Sequence, residues 1–466
     1  MREKGEIMSQ PVSRAADKKE QNSMVRDLTT GSVPVLLLTF AAPLFVSNAL
    51  QAIYNIVDMI VVGQVIGKTG MSAVSVGGNV LQIMNFIAMG FSSAGQILIA
   101  RSVGQKNMNQ VRKIIGTLFS VLFLISLVIS AASFFFRHHL FNWINTPAEA
   151  FDYTMDYTMI CTIGLVFIYG YNCVSAILRG MGDSKRPFIF ISIAAVMNTV
   201  LDILFVAVFK MEVTGAALAT VIGQAFSFLF AISYLYRNKE SFGFDFKLRS
   251  FVPDQKAMSS IIALGVPMAL QSAAISISHT VVAAWVNSFG VVYSAIAGIL
   301  SKLNMMMNVL SNAITTAGAS MTGQNIGAKK YDRVPRILAW ALCLSSIIAV
   351  AASGLLLVFP NMIIGMFTTD ADVLAKATVI VGPAILCFAG SATRTFAFSI
   401  INGSGHSKLN LLVAIIDGII ARIGCAYILG FAMGMGPKGF WYGDGIAGMM
   451  PLLIGGVFYL SGRWKK

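Results

Sequence analysis

Three aspartates stand inside long apolar runs of this sequence: Asp58, Asp202 and Asp417. An ionisable side chain deep in a bilayer costs several kcal/mol, so each is a candidate for function. Asn198 precedes Asp202 by four residues and shares its helical face. Thr220 lies in the next apolar run, at the depth estimated for Asp202. Two carboxylates, an amide oxygen and a hydroxyl form a hard-oxygen set suited to Na⁺, or a carboxylate pair that shares a proton. The competing account is structural: Asp202 bonded to Asn198 or to span 6, with Asp58 wetted at the membrane edge.

Other polar residues in apolar runs carry less. Arg394 and Asp417 sit at matching depth on adjacent spans and read as a structural ion pair. Lys302 has no evident acidic partner and is a candidate lining residue of a wet cavity. Met306, flanked by Met305 and Met307, would suit an adaptable site, although lipid or helix contact is an equal use of thioethers. His279 fits a helix-interface histidine as well as a cavity group. Pro43 removes a backbone hydrogen bond in span 1 and predicts a kink, mobile or static. Asp444 lies near the outer end of span 12, and His138 and His139 in an outer loop.

Catalysis finds no support. There is no nucleophile–base set, no metal-ligand cluster and no G-x-x-x-x-G-K-[ST], and the GSG at 403–405 matches no phosphate loop. No enzyme and no prosthetic cofactor are expected. Cys161, Cys173, Cys343, Cys387 and Cys425 form no C-x-x-C pair and read as small buried apolar residues.

The elements that must carry these groups follow from composition. The chain has 466 residues, 56% hydrophobic and 12% charged, with 32 Phe and 25 Met. A soluble domain is about 25% charged, so a soluble enzyme and a disordered chain are both excluded. Twelve apolar runs are long enough to cross a bilayer: 33–62, 74–100, 114–136, 155–178, 188–209, 215–236, 258–286, 292–320, 337–359, 376–401, 409–432 and 439–462. The expected fold is an all-α polytopic membrane protein of twelve transmembrane helices. Its expected parts are an N-terminal tail (1–32), an N-lobe (33–236), a linker (237–257), a C-lobe (258–462) and a C-terminal tail (463–466). Residues 1–32 contain no apolar signal region, so span 1 is expected to serve as the uncleaved insertion signal.

The net charge of +14 belongs to this topology rather than to a nucleic-acid partner. With the N-terminus inside, 26 Lys and Arg fall on that side and 5 on the other. The bias predicts a cytoplasmic membrane protein with both termini in the cytoplasm. The chain also repeats. AGQILIARSVGQKN at 94–107 aligns with AGASMTGQNIGAKK at 317–330, and LRGMGDSKRPF at 178–188 with INGSGHSKLNL at 401–411, both at an offset of 223. Pro43 and Pro267 match at 224. Two six-helix repeats entering from one side are parallel, an architecture that predicts a substrate path between halves and alternating access. At the 223 offset Asp58, Asn198 and Asp202 become Val281, Ala421 and Cys425, so a coupling site is expected in the first half alone.

With these residues in view the sequence resembles the MATE family of multidrug and toxic compound extrusion transporters. The likeness runs through FAAPLFVSNALQAIYNIVDMIVVGQ (40–64), AGQILIARSVGQ (94–105), LRGMGDSKRP (178–187), NTVLDILFV (198–206), GAALATVIGQ (215–224), GQNIGAKK (323–330) and INGSGHSK (401–408). The resemblance implies a two-lobed fold and H⁺- or Na⁺-coupled antiport of amphipathic, mainly cationic small molecules. It places a cation site at Asp58, Asn198, Asp202 and Thr220, with the carbonyl of Ala216 as a further ligand, and a bending proline at Pro43. Spans 7 and 10 hold no Asp or Glu, which is closer to the branch named after DNA-damage-inducible protein F. Small-molecule substrates and membrane lipid are the expected partners, and a monomer the expected state. The alternative is a flippase of lipid-linked or anionic substrates in the same superfamily, kept open by Lys302, Arg394 and Arg422. A scaffold or channel is the remaining rival.

Overall fold

The computed structural model describes residues 25–143 and 147–465. The expected basic residues Arg2, Lys4, Arg14, Lys18, Lys19 and Lys466 lie outside the described residues. The described residues form twelve helical segments long enough to span a bilayer. They are α1 (Val33–Val65), α2 (Lys68–Gly104), α3 (Met108–Trp143) and α4 (Phe151–Ile163 and Leu165–Gly180). Next come α5 (Lys185–Val208), α6 (Glu212–Arg237), α7 (Gln255–Asn287) and α8 (Val291–Gly327). The last four are α9 (Val334–Val358), α10 (Ala371–Gly403), α11 (Ser407–Ala432) and α12 (Pro437–Leu460). Among the described residues no strand forms.

Ten of these helices are long and apolar enough to cross a membrane individually. α4 is bent by 47° at Gly164, where a Cβ would run into Val221 of α6. α8 falls below the apolarity of the others because Lys302, Asn304, Asn308 and a run of Ser and Thr interrupt it. It is retained as a span by packing on α1, α2 and α10. Cys161, Cys173 and Cys387 are buried as expected. Cys343 is exposed on α9 and Cys425 half-buried, a departure for two of the five. α3 runs on to Trp143, so His138 and His139 belong to its last turns rather than to a loop.

The linker is not a free polar tether. Phe242 and Phe244 are buried, and Phe244, Phe246 and Phe251 pack edge to face. Asp254 caps α7 through the Ala257 N–H and pairs with Lys113 at 2.9 Å. The bonded Lys113 ammonium holds the Asp254 carboxyl below its ordinary range. The linker thus lies on α3 of the first lobe.

Cores explain the arrangement of the two lobes. One cluster joins α2, α3, α4 and α6, and another joins α7, α8, α9, α10 and α12. Where α1 meets α8 and α9, Leu37, Phe40, Ala41 and Leu44 pack on Ala313, Ile314, Ala317 and Ala341. Ala94 and Ile97 of α2 pack on Leu264 and Met268 of α7. Both junctions lie in the half of the bundle next to the linker. Polar bonds close the same end. Gln96 Nε2 donates to Ser320 Oγ at 2.7 Å, and Arg101 donates to the Ser404 carbonyl at 2.9 Å. The strand of chain before α1 is clasped between lobes. Arg26 N–H donates to the Met181 carbonyl, and Leu28 N–H to Gln324 Oε1 at 2.9 Å. Asn325 and Lys330 in turn donate to the carbonyls of Leu28 and Thr29. Away from this seam each lobe keeps its own core.

The repeat is visible in contacts. A Cβ on Gly104 would overlap the Gln324 carbonyl, and one on Gly327 would overlap the Arg101 carbonyl. Gly104 and Gly327 are 223 residues apart, as are Arg101 and Gln324, so the same close crossing is made twice about a pseudo-twofold axis.

Candidate functional site

The first-lobe set assembles where α1 packs on α5 and α5 on α6. Asp58, Asn198 and Asp202 are buried, with Asp202 at 0% exposure. Asn198 Nδ2 donates to Thr220 Oγ1 at 3.5 Å, which joins α5 to α6. Asp202 closes the regular part of α5. A π-helical turn follows it over Ile203–Val208, a local form common at functional sites.

The electrostatics of this site are unusual. Asp58 Oδ1, Asn198 Oδ1 and both Asp202 oxygens are buried with no hydrogen-bond partner. Among the described residues no Lys, Arg or His forms an ion pair with either aspartate. Burying a carboxylate without a partner is costly, and two that share one site repel each other. Such a pair is stable only with a proton or a small cation added. The unsatisfied donors are all hard oxygens, the ligand type that Na⁺ takes. Ala216 is buried one turn before Thr220 on α6. Residues the sequence reasoning missed surround the set. Tyr157 of α4 bonds with Thr220 and feels both aspartates. The Tyr54 hydroxyl accepts from Gln224 Nε2 at 3.5 Å. Tyr54 precedes Asp58 by four, and Gln224 follows Thr220 by four, a spacing that was readable.

In the second lobe the expected pair is part of a chain. Arg394 donates to both oxygens of Asp417 at 2.9 and 2.8 Å. Arg422 donates to Asp417 at 3.1 Å and to Asp444. His279 Nδ1 lies 3.7 Å from Asp444. Asp444 is therefore not a wet edge residue, and Arg422 and His279 belong with it. The expected counterpart of Asn198 also needs correction. A π-helical turn over Ile416–Ala421 inserts one residue into α11, where α5 is regular over Lys185–Asp202. Beyond it the repeat offset is 224, so Asn198 corresponds to Arg422 and not to Ala421.

Helical phase places the remaining candidates. Eleven residues make about three turns. Lys302 and Met306 therefore share the face of α8 that carries Ala313 and Ala317 into contact with α1. His279 shares the face of α7 that carries Met268 onto α2. Lys302 and His279 are exposed, and Met306 is 65% exposed, so all three stand uncovered on the faces that make the seam further along their helices. α1 continues through Pro43, whose carbonyl accepts from Ser47 Oγ at 2.7 Å.

The sequence model of the MatE family matches residues 43–204 and 267–428, once in each repeat. The chain is 28% identical to the Probable multidrug resistance protein YpnP of Bacillus subtilis, over 94% of this chain and 97% of that protein. It is 23% identical to the Probable multidrug resistance protein NorM of Thermotoga maritima, over 92% and 93% of the two chains. Among solved structures, a MOP superfamily transporter from Pyrococcus furiosus superposes with a TM-score of 0.87 at 21% identity, covering 94% of this chain and 98% of that one. An outward-facing multidrug resistance MATE family transporter gives 0.87 at 21% identity, with the same coverage. These likenesses establish the fold.

Proposed function

The chain belongs to the MatE family, and from that premise we propose that it is a cation-coupled antiporter exporting amphipathic, mainly cationic small molecules by alternating access. The carrying observation is the buried, unpaired carboxylate pair Asp58 and Asp202 in the first lobe. In this reading the lobes open toward the outside of the cytoplasmic membrane, and the clasped seam and both termini face the cytoplasm, as the Lys and Arg asymmetry supports. From outside, H⁺ or Na⁺ neutralises the pair. Asn198 Oδ1 and Thr220 Oγ1 supply further oxygens to a metal cation, with the Ala216 carbonyl one turn away. Neutralisation relaxes α1 against α5 and α6 and favours release of substrate. The return step carries the ion inward as the seam opens. Pro43 lies where α1 meets the second lobe and lets α1 bend between the two states. The protein acts as a monomer in lipid.

The test is efflux of a fluorescent organic cation from proteoliposomes under a Na⁺ gradient or a pH gradient imposed separately. Wild type exports under one of them, and Asp58→Asn and Asp202→Asn lose gradient-driven efflux. Full efflux in both variants overturns the reading. The flippase reading keeps a single support: Lys302 is exposed and has no acidic partner among the described residues, whereas Arg394 and Arg422 are held by Asp417 and Asp444.

A further inference from the structure

The two lobes hold their polar clusters at the same place in the repeat. Asn198 and Thr220 touch across α5 and α6, and Arg422 and Asp444 touch across α11 and α12. Each pair is separated by 22 residues, and each member is displaced from its counterpart by 224. His279 on α7 stands within one turn of Val282, which the 224-residue match of Pro43 to Pro267 makes the counterpart of Asp58 in place of Val281. The sites differ in one respect. The first lobe gathers two carboxylates and no cation. The second gathers Asp417 and Asp444 around the Arg422 guanidinium, with Arg394 on the other side of Asp417.

We infer that the second lobe carries a cation site closed by its own side chain: the Arg422 guanidinium sits between Asp417 and Asp444 where the first lobe takes its mobile cation. Arg422 is 2% exposed and Asp417 fully buried, so the tethered charge neither leaves nor exchanges. Its two bonds, one to each carboxylate, stand where a small cation would take oxygens from the same groups. The one-residue insertion at Ile416–Ala421 brings Asp417 and Arg422 onto this site together. Charge is balanced within the cluster: two aspartates against two arginines. The consequence is asymmetric coupling, in which one lobe exchanges ions and the other is permanently loaded.

This inference rests on the first lobe being the exchanging site, and its test removes that site. In the full chain carrying Asp58→Asn and Asp202→Asn, equilibrium binding of radioactive sodium is measured in detergent, together with proton uptake by titration. With Arg422 intact no sodium site remains. Adding Arg422→Gln creates one site per chain for sodium or for a proton, and further adding Asp444→Asn abolishes it. Arg422→Lys in the same background creates none. A sodium site that survives with Arg422 intact overturns the proposal, whether or not the glutamine variant folds. So does a monodisperse Arg422→Gln chain that gains neither ion. Failure of the first-lobe reading appears separately, as ion-independent transport in Asp58→Asn and Asp202→Asn.

Discussion

Gly104 of α2 lies directly against the backbone carbonyl of Gln324 in α8, and the repeat returns the same contact between Gly327 and Arg101. No side chain fits at either crossing, so the helices approach as closely as backbones allow. A valine at position 104 or 327 is expected to wedge the seam. Spin labels on the seam ends of α2 and α8 then report a longer distance, and efflux falls by at least tenfold. An unchanged distance with unchanged efflux refutes this account of the crossing.

The two polar clusters are expected to respond oppositely to loss of charge. Asp202→Asn removes a buried carboxylate that has no partner, so the purified variant melts at a higher temperature while losing coupled transport. Arg394→Ala leaves Asp417 short of one of its two guanidinium partners and lowers stability by about 3 kcal/mol. Thermal unfolding of both variants in one detergent checks the signs. A fall in melting temperature for Asp202→Asn contradicts the claim that the site is strained without its ion.

Pro43 leaves the Thr39 carbonyl without its helical donor at the level where α1 packs on α8 and α9. Pro43→Ala restores that bond and straightens the range of α1. Expected is intact folding, judged by gel filtration and melting, with gradient-driven efflux reduced several-fold. Wild-type efflux in the alanine variant makes the proline a static feature.

Lys302 of α8 is exposed and has no acidic partner among the described residues. Lys302→Glu is expected to raise transport of dicationic dyes relative to monocationic ones and to depress that of anionic ones. Competition assays with a matched dye series measure the ratio. A ratio equal to wild type removes Lys302 from the substrate path.

Much of this was legible in the sequence for a simple reason: hydrocarbon is a harsh solvent. Asp58, Asn198, Asp202 and Thr220 stand out because apolar runs tolerate few such groups, and counting turns placed them at one depth. Tyr157 and Tyr54 escaped notice because an aromatic residue in a membrane helix is ordinary until its hydroxyl has a partner. The chain from Arg394 to His279 was seen only as one pair, since the π-helical turn at Ile416–Ala421 shifts the phase of α11 and hides the match of Arg422 to Asn198. The Phe-rich linker looked like a tether because its aromatic contacts reach sideways to α3, which no local pattern announces.

The clasp at Leu28 has a consequence for biosynthesis. Its acceptor, Gln324, lies 296 residues further along the chain. At about 5–20 residues per second of synthesis, roughly 15–60 s pass before that partner exists. For that interval the first six helices sit in the membrane as a half-protein with their seam face unsealed and the Leu28 segment undocked. The last lock on the molecule is therefore made by a segment that precedes the first helix, and a ribosome stalled before α8 leaves a product that chaperones and proteases recognise as unfinished.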